Sequence, residues 1–238
     1  MCYNQDMKNN YSINNANIIL DLLKKDYPKA GCALNYDTKF HLLIAVALSA
    51  QTTDVSVNKI TPILWNKYPD SKALSEANQK DVEEIIKSIG LYKNKSKNII
   101  GISKALQKRL NSLDEIERKK YQDSIDNKDG VPDEFSELLK LPGVGRKTAN
   151  VVLAEAFGFQ KIAVDTHVLR VSNRIGLADN DDPYKTELDL MNTIPENRWT
   201  EAHHLLIWHG RNCCKARKPE CHLCSIRRYC LFANKKND

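Results

Sequence analysis

A lysine and an aspartate are the side chains in this sequence whose types and spacing best suit joint chemistry. Lys147 stands two residues after the Gly143-Val144-Gly145 turn, and Asp165 follows eighteen residues later. A free lysine titrates near ~10.4, so fewer than about one amine in a thousand is nucleophilic at neutral pH. The start of a helix disfavours the ammonium and favours the neutral amine. The pair therefore predicts an amine nucleophile working with a carboxylate.

The glycine turn before Lys147 has the composition of a phosphate-binding hairpin. Pro142 removes a backbone donor and ends the preceding helix, and both glycines are expected to adopt backbone conformations closed to other residues. A new helix is predicted over residues 146–157. The free N–H groups at its start are suited to an anion such as a DNA phosphate.

The chain between the two side chains is long enough to bring Asp165 back to Lys147. The helix of about 11 residues spans roughly 16 Å, and the seven or so residues from 158 to 164 span roughly 23 Å when extended. Residues 162–164 are predicted to be buried and extended. Asp165 then has the position of an N-cap for a helix over residues 166–175, which Gly176 ends.

Each of these features also has a simpler explanation. A lysine in the first turn of a helix is ordinarily a solvated surface residue, and an aspartate before an apolar helix is usually only a cap. A glycine-punctuated turn by itself is a weak signal. The combination of turn, lysine and distant aspartate is what favours a site.

Four cysteines near the end of the chain have the spacing C-x6-C-x2-C-x5-C, namely Cys214, Cys221, Cys224 and Cys230. Four thiolates satisfy either a tetrahedral zinc ion or an iron-sulfur cubane, and spacing alone leaves both open. Cys213 is adjacent to this set and surplus to it. Cys2 and Cys32 are interpreted as ordinary free thiols.

Composition and charge favour a globular protein with a polyanionic partner. Hydrophobic residues make up 42% of the 238 positions, and the formal net charge is +6. Residues 211–238 hold eight Lys or Arg against two acidic residues, which equals the whole excess, although a solvated basic tail is a common cause. No secretory signal is recognised, and the apolar run at residues 42–48 is far short of the roughly 20 residues that span a membrane. We therefore expect a cytoplasmic protein.

The periodicity of apolar residues predicts an all-α protein with no β-strand of any length. Pro62 is expected to kink or break the third helix. Residues 111–130 are charged and aperiodic, and they are interpreted as a mobile insertion. Besides the two helices above, helices are predicted before Pro28 and near residues 40–50, 55–64, 81–89, 95–110, 133–140, 183–194 and 200–208.

The segments LPGVGRKTANVVL and AVDTHVLRVSNR, with HGR and ARKP around the first cysteines, resemble the helix-hairpin-helix DNA glycosylase superfamily and, within it, the endonuclease III family. The resemblance runs from about residue 18 to residue 230. It implies a base excision repair enzyme, a DNA N-glycosylase and abasic-site lyase for oxidised pyrimidines. It further implies that Lys147 is the catalytic amine, that Asp165 is the catalytic carboxylate, and that the four cysteines bind a 4Fe-4S cluster.

The same resemblance implies two helical domains. Residues 32–158 would form a six-helix barrel with the helix-hairpin-helix motif at about 136–157. Residues 1–31 and 159–238 would form a second domain that carries the cluster loop, 214–230. Lys147 and Asp165 would then face each other across a cleft that holds a flipped-out nucleotide.

Several DNA contacts are carried over from the resemblance. Gln51, in LSAQTTD, would fill the gap that the flipped nucleotide leaves, and Leu91 would wedge the opposite side. The remaining contacts would come from Gly143, Gly145, Arg146, Lys215, Arg217 and Lys218. The expected partner is duplex DNA with damaged pyrimidines or abasic sites, bound by a monomer at the nucleoid. The loop at residues 158–161 lacks the proline common in the superfamily, which leaves its path open.

Three other interpretations compete with this one. An adenine-type mismatch glycosylase shares the barrel and the cluster, but it lacks a lysine at position 147. A non-catalytic helix-hairpin-helix DNA-binding module needs only the glycines and basic residues, and does not explain Lys147 with Asp165. A structural protein on zinc would be colourless, whereas a 4Fe-4S protein absorbs broadly near ~400 nm.

Overall fold

A computed structural model describes residues 3–234, with side chains from Asn15 onward, and within that range the fold is all-α without a β-strand. The helices are α1 (Tyr3–Asp26), α2 (Lys39–Leu48), α3 (Asp54–Lys67), α4 (Ser71–Ser75), α5 (Gln79–Ile86), α6 (Tyr92–Ser112), α7 (Glu115–Gln122), α8 (Phe135–Leu138), α9 (Arg146–Phe157), α10 (Thr166–Ile175), α11 (Pro183–Thr193), α12 (Trp199–Asn212) and α13 (Leu231–Asn234). Short 3-10 turns lie at Glu196–Arg198, Cys221–Leu223 and Arg227–Tyr229. The all-α prediction is confirmed.

Polar capping residues decide where most of these helices begin. Seven helices follow a Thr, Asp or Asn whose side chain accepts a backbone N–H of the first turn: Thr38, Thr53, Asp70, Asn78, Asp114, Asp165 and Asp182. Two helices end at glycines in the left-handed conformation, Gly158 after α9 and Gly176 after α10.

The chain divides into two compact units, of which one is the continuous segment Ala33–Gly158. Its centre is α2, which is buried at nearly every position from Phe40 to Leu48 and packs against α9, α6 and α3. A helix that is apolar on all faces needs neighbours on all sides, and these helices supply them.

The second unit combines the N-terminal segment up to Cys32 with the chain from Phe159 onward. The buried faces of α1, α10, α11 and α12 form its core, together with Ile226 and the thiol of Cys214. The cluster loop is therefore built on the same core as these helices. Cys2 lies outside the described residues.

Two segments are more regular than the sequence predicted. The third helix, α3, continues through Pro62 without a break. Residues 111–130 are not a loop without structure, because they contain α7 and a turn in which Asn127 and Asp129 are buried. The apolar periodicity was missing here because α7 has no buried residue and its anchors are polar.

Among the residues described, no helix has both the length and the apolar character that crossing a membrane requires.

Candidate active site and iron-sulfur centre

The helix-hairpin-helix consists of α8, a turn at residues 139–145, and α9. Gly143 has φ +73°, and an added Cβ would lie 2.4 Å from Nδ2 of Asn98 on α6. Gly145 differs, because its φ of −98° and ψ of 178° are open to any residue and an added Cβ would meet nothing within 4 Å. The expectation that both glycines adopt restricted conformations is therefore right for Gly143 and wrong for Gly145.

The hairpin is held against α6. An added Cβ on Gly101 would lie 3.2 Å from Cγ of Pro142, so a side chain there would press on the turn. Val144 N–H donates to the carbonyl of Leu141 at 3.1 Å, which closes the turn. The guanidinium of Arg146 lies 5.0 Å from the ring centre of Phe135 on α8.

Lys147 is the second residue of α9, and its side chain is exposed. The N-cap of α9 is Gly145, which has no side chain to occupy the first backbone N–H groups. Lys147 therefore lies beside backbone N–H groups that no N-cap side chain accepts, and such groups are suited to a phosphate. The sequence placed it correctly in the first turn of its helix.

Asp165 is the N-cap of α10, as predicted. Its Oδ1 accepts the backbone N–H groups of His167 and Val168, both at 2.8 Å. Within the described part of the chain, its Oδ2 has no hydrogen bond. One oxygen thus fixes the carboxylate while the other is available for chemistry. Lys147 lies in the first unit and Asp165 in the second, and their meeting remains a prediction.

Gln51 and Leu91 share a backbone property that the sequence did not indicate. Only three non-glycine residues in the described range have positive φ: Gln51 (54°), Leu91 (60°) and Lys218 (53°). Side chains other than glycine rarely adopt this conformation, and such residues cluster at functional sites. Both Gln51 and Leu91 are also exposed, Leu91 at 58%. All three were predicted DNA contacts.

The four predicted cluster ligands lie near enough to one another for their thiolates to repel, and their role as joint ligands stays a prediction. Cys214 and Cys230 are buried, and Cys221 and Cys224 are half-buried. Burial raises the pKa of Cys224 and Cys230, and repulsion from Cys214 raises both further, with Cys221 also acting on Cys230. An iron centre that binds thiolates would offset this cost, so the donor set fits a cluster. The four sulfurs do not gather within 4.8 Å of one another, whereas four thiolates on one zinc ion would lie about 3.8 Å apart.

Cys213 is closer to this centre than its description as surplus implied. Its Sγ, the Sγ of Cys224 and a ring nitrogen of His209 all lie within 4.8 Å of one another. Burial lowers the pKa of His209 to about 4, so its ring is neutral at pH 7. The ring lies between the Tyr27 hydroxyl, 3.3 Å from Nδ1, and Cys224, 3.7 Å from Nε2.

Two arginines that sequence reasoning missed position the cluster loop. Arg174 donates to the carbonyls of Lys215 and Ala216 at 2.8 and 3.1 Å, and Arg170 donates to the carbonyl of Cys214. The signal was available, because arginines four residues apart on α10 share a helix face. Their targets are backbone atoms, which no sequence pattern reveals.

The three basic residues of the loop are all exposed, but they differ in their contacts. Lys215 is paired with Glu220 at 2.5 Å between Nζ and Oε1. Lys218 is held in the left-handed conformation before Pro219. Arg217 has neither a hydrogen bond nor an ion pair within the described residues. The loop therefore presents Arg217 and Lys218 more openly than Lys215.

Comparison with known proteins relates this chain to a repair family. Residues 44–196 match the HhH-GPD superfamily of base excision DNA repair proteins, and residues 214–230 match the iron-sulfur binding domain of endonuclease III. The endonuclease III of Rickettsia felis is 46% identical over 218 residues, covering 92% of this chain and 94% of that protein. That of Escherichia coli K12 is 42% identical over 217 residues, covering 91% and 95%.

Solved structures give the same relationship. A trapped covalent intermediate of an endonuclease III with DNA superposes with a TM-score of 0.81 at 41% identity, covering 94% of this chain and 97% of that one. A thermostable thymine-DNA glycosylase at 21% identity shares the fold, with a TM-score of 0.76. The chain therefore belongs to the endonuclease III family of HhH-GPD base excision repair proteins, as a DNA glycosylase and abasic-site lyase with a 4Fe-4S cluster.

Proposed function

We propose that the enzyme removes oxidised pyrimidines from duplex DNA through an imine on Lys147, with Asp165 as the catalytic carboxylate. The observation that carries this assignment is the pair of local environments: an exposed amine in the first turn of α9, and a carboxylate with one oxygen capped and one open. A relative 41% identical to this chain was trapped as a covalent intermediate with DNA, which supports a covalent step.

The reaction follows from these two groups. Asp165, while ionised, stabilises the positive charge that builds on the sugar, and its Oδ2 accepts a proton from the amine of Lys147 as that amine bonds to the sugar. The amine attacks C1′, and the glycosidic bond breaks with its electrons leaving on the base, which is protonated. The sugar ring opens to an imine, which makes a C2′ proton acidic. Loss of that proton with the C3′–O bond cuts the strand by β-elimination, and water then releases the lysine.

The proposed DNA contacts come from the family resemblance, and their local geometry supports them. The hairpin residues Gly143, Gly145 and Arg146 would hold the backbone beside the lesion, since Gly145 leaves room for close approach. Gln51 and Leu91 would enter the stack from the two exposed, left-handed turns. The remaining phosphate contacts would come from Lys215, Arg217 and Lys218.

The cluster domain and the barrel have separate proposed roles. Residues 32–158 would supply the barrel and the amine, and residues 1–31 with 159–238 would supply the carboxylate and the cluster loop. The 4Fe-4S cluster would cross-link the loop ends through its four thiolates. The cysteines and Arg174 together would hold the basic residues in place for phosphates. We further propose that the enzyme acts as a monomer at the nucleoid.

The test compares Lys147→Gln and Asp165→Asn with the parent enzyme on a duplex with thymine glycol and on one with an abasic site. Lys147→Gln should abolish base release, nicking and borohydride trapping. Asp165→Asn should slow nicking at least about 100-fold with DNA affinity retained. The fold should survive, because Asn is as good an N-cap as Asp.

Lys140→Gln serves as the matched control, because Lys140 is also exposed and lies seven residues earlier in the hairpin. It should behave as the parent enzyme. Trapping retained by Lys147→Gln would assign the imine to another amine and reject the proposal. Activity limited to adenine in mismatches would reject the lesion class.

A further inference from the structure

Lys95 is a buried lysine that the proposed chemistry does not use. It lies on α6 in the first unit, and only 5% of its surface is exposed. Within the described part of the chain it has no carboxylate partner, and burial lowers its pKa. A buried ammonium costs free energy unless it is well paired, so its retention calls for a reason other than stability.

The contacts of Lys95 join the two left-handed turns. Its Nζ donates to Oγ1 of Thr52 at 2.5 Å, and Thr52 directly follows Gln51. Its backbone N–H donates to the carbonyl of Leu91 at 3.0 Å, which is the first helical bond of α6. One residue thus contacts both turns at Gln51 and Leu91, whose φ angles are 54° and 60°.

The conformational cost explains why such a connection is needed. A non-glycine residue in the left-handed region costs about 1–3 kcal/mol and persists only where neighbours enforce it. Leu91 has no side-chain cap at the start of α6, and the turn after α2 has few bonds of its own, among them Thr52 N–H to the Ser49 carbonyl at 3.0 Å. The Lys95–Thr52 bond therefore fixes the Gln51 turn relative to Leu91.

We propose that Lys95 is a positioning residue, which through Thr52 sets the spacing between Gln51 and Leu91 for the base left unpaired when the lesion leaves the stack. This inference rests on the proposed roles of Gln51 and Leu91. It adds that the spacing between them is set by one hydrogen bond. The effect should appear only where an unpaired base must be held.

The experiment uses the full chain with its cluster and two substrates: thymine glycol opposite adenine in a duplex, and the same lesion in a single strand. Lys95→Met keeps the stem and removes the ammonium, and Thr52→Val removes the hydroxyl at constant shape. Each should slow single-turnover nicking of the duplex about tenfold, and change the single-strand rate less than about twofold. The double variant should be no slower than either single variant.

The controls separate positioning from general damage. Thr52→Ser keeps the hydroxyl that Thr52→Val removes, so its duplex rate should equal that of the parent enzyme. If the slowing came only from lost packing of the threonine side chain, Thr52→Ser would be slowed as well. Lys104→Met alters an exposed lysine of the same helix and should change neither substrate's rate. If Lys95→Met does not fold, the Thr52 pair still decides the outcome.

Variants of Gln51 and Leu91 distinguish a failure of the Lys95 inference from a failure of the proposed DNA contacts. If Gln51→Ala and Leu91→Ala slow the duplex selectively while Lys95→Met and Thr52→Val do not, only the role of Lys95 is rejected. If Gln51→Ala and Leu91→Ala leave the duplex rate unchanged, the proposed DNA contacts are themselves wrong. Equal slowing of both substrates by Lys95→Met with unchanged Thr52→Val would also reject the positioning role.

Discussion

Gly143 and Gly145, two residues apart in the hairpin, differ in whether the fold requires a glycine. Gly143 is required by the protein itself, since its φ is +73° and a Cβ would meet the side chain of Asn98. Gly145 has an ordinary backbone conformation and open space around its Cα. No neighbouring atom requires a glycine at 145, and under the proposed function an approaching phosphate would use the open space there.

Exchanging each glycine for alanine should separate these roles. Gly143→Ala should lower the free energy of unfolding by about 1–3 kcal/mol. Gly145→Ala should cost less than about 1 kcal/mol, but it should weaken binding to a duplex with a tetrahydrofuran abasic analogue about tenfold. Denaturant titration and fluorescence anisotropy measure the two effects. A Gly145→Ala enzyme with parental affinity would remove the phosphate argument.

At the scale of elements, the segment after α6 is anchored by polar groups. Asp129 Oδ1 accepts the N–H of Ser71, the first residue of α4, at 2.6 Å and is buried. Asn127 bonds Val131 through both side-chain atoms, and Arg109 donates to the carbonyl of Gly130 at 3.0 Å. These polar contacts hold the segment in place, because α7, which is part of it, has no buried residue.

Removing the Asp129 anchor should destabilise the first unit. Asp129→Ala leaves the buried N–H of Ser71 without its acceptor, and we expect the free energy of unfolding to fall by about 1–3 kcal/mol. Asp129→Asn keeps an acceptor and should be less destabilising. Asp133→Ala is the matched control, because Asp133 is exposed four residues later. Thermal and denaturant unfolding would show the difference, and equal stability of the Asp129→Ala and Asp133→Ala proteins would contradict it.

At the scale of the whole molecule, the net charge of +6 is concentrated near the cluster loop. Arg170 and Arg174 hold that loop by its backbone carbonyls, so their donors serve the structure of the loop. Arg217 and Lys218 remain exposed at its surface. DNA affinity should therefore depend on salt through these two residues and on the integrity of the loop.

Log affinity falls linearly with log salt concentration. Replacing Arg217 and Lys218 together by glutamine should make this slope less steep by about 0.9 for every phosphate that the two side chains no longer neutralise. Cys214→Ser should lose iron and the absorption near ~400 nm. Its salt dependence should become less steep by the same amount as that of the Arg217 and Lys218 double variant. Lys185→Gln, at an exposed lysine of α11, should leave the slope unchanged. Colourless Cys214→Ser protein with a parental slope would show that the cluster does not hold the loop.

Local patterns in the sequence were enough to determine the all-α fold, most helix starts, the Asp165 cap and the four-cysteine spacing. Helix periodicity and capping act over a few residues, so adjacent letters encode them. The buried turn at Asp129, the Lys95–Thr52 bond and the arginines on the loop backbone were decided only by tertiary structure. Each joins positions that are 40 to 60 residues apart, and which polar group meets which depends on how the helices pack.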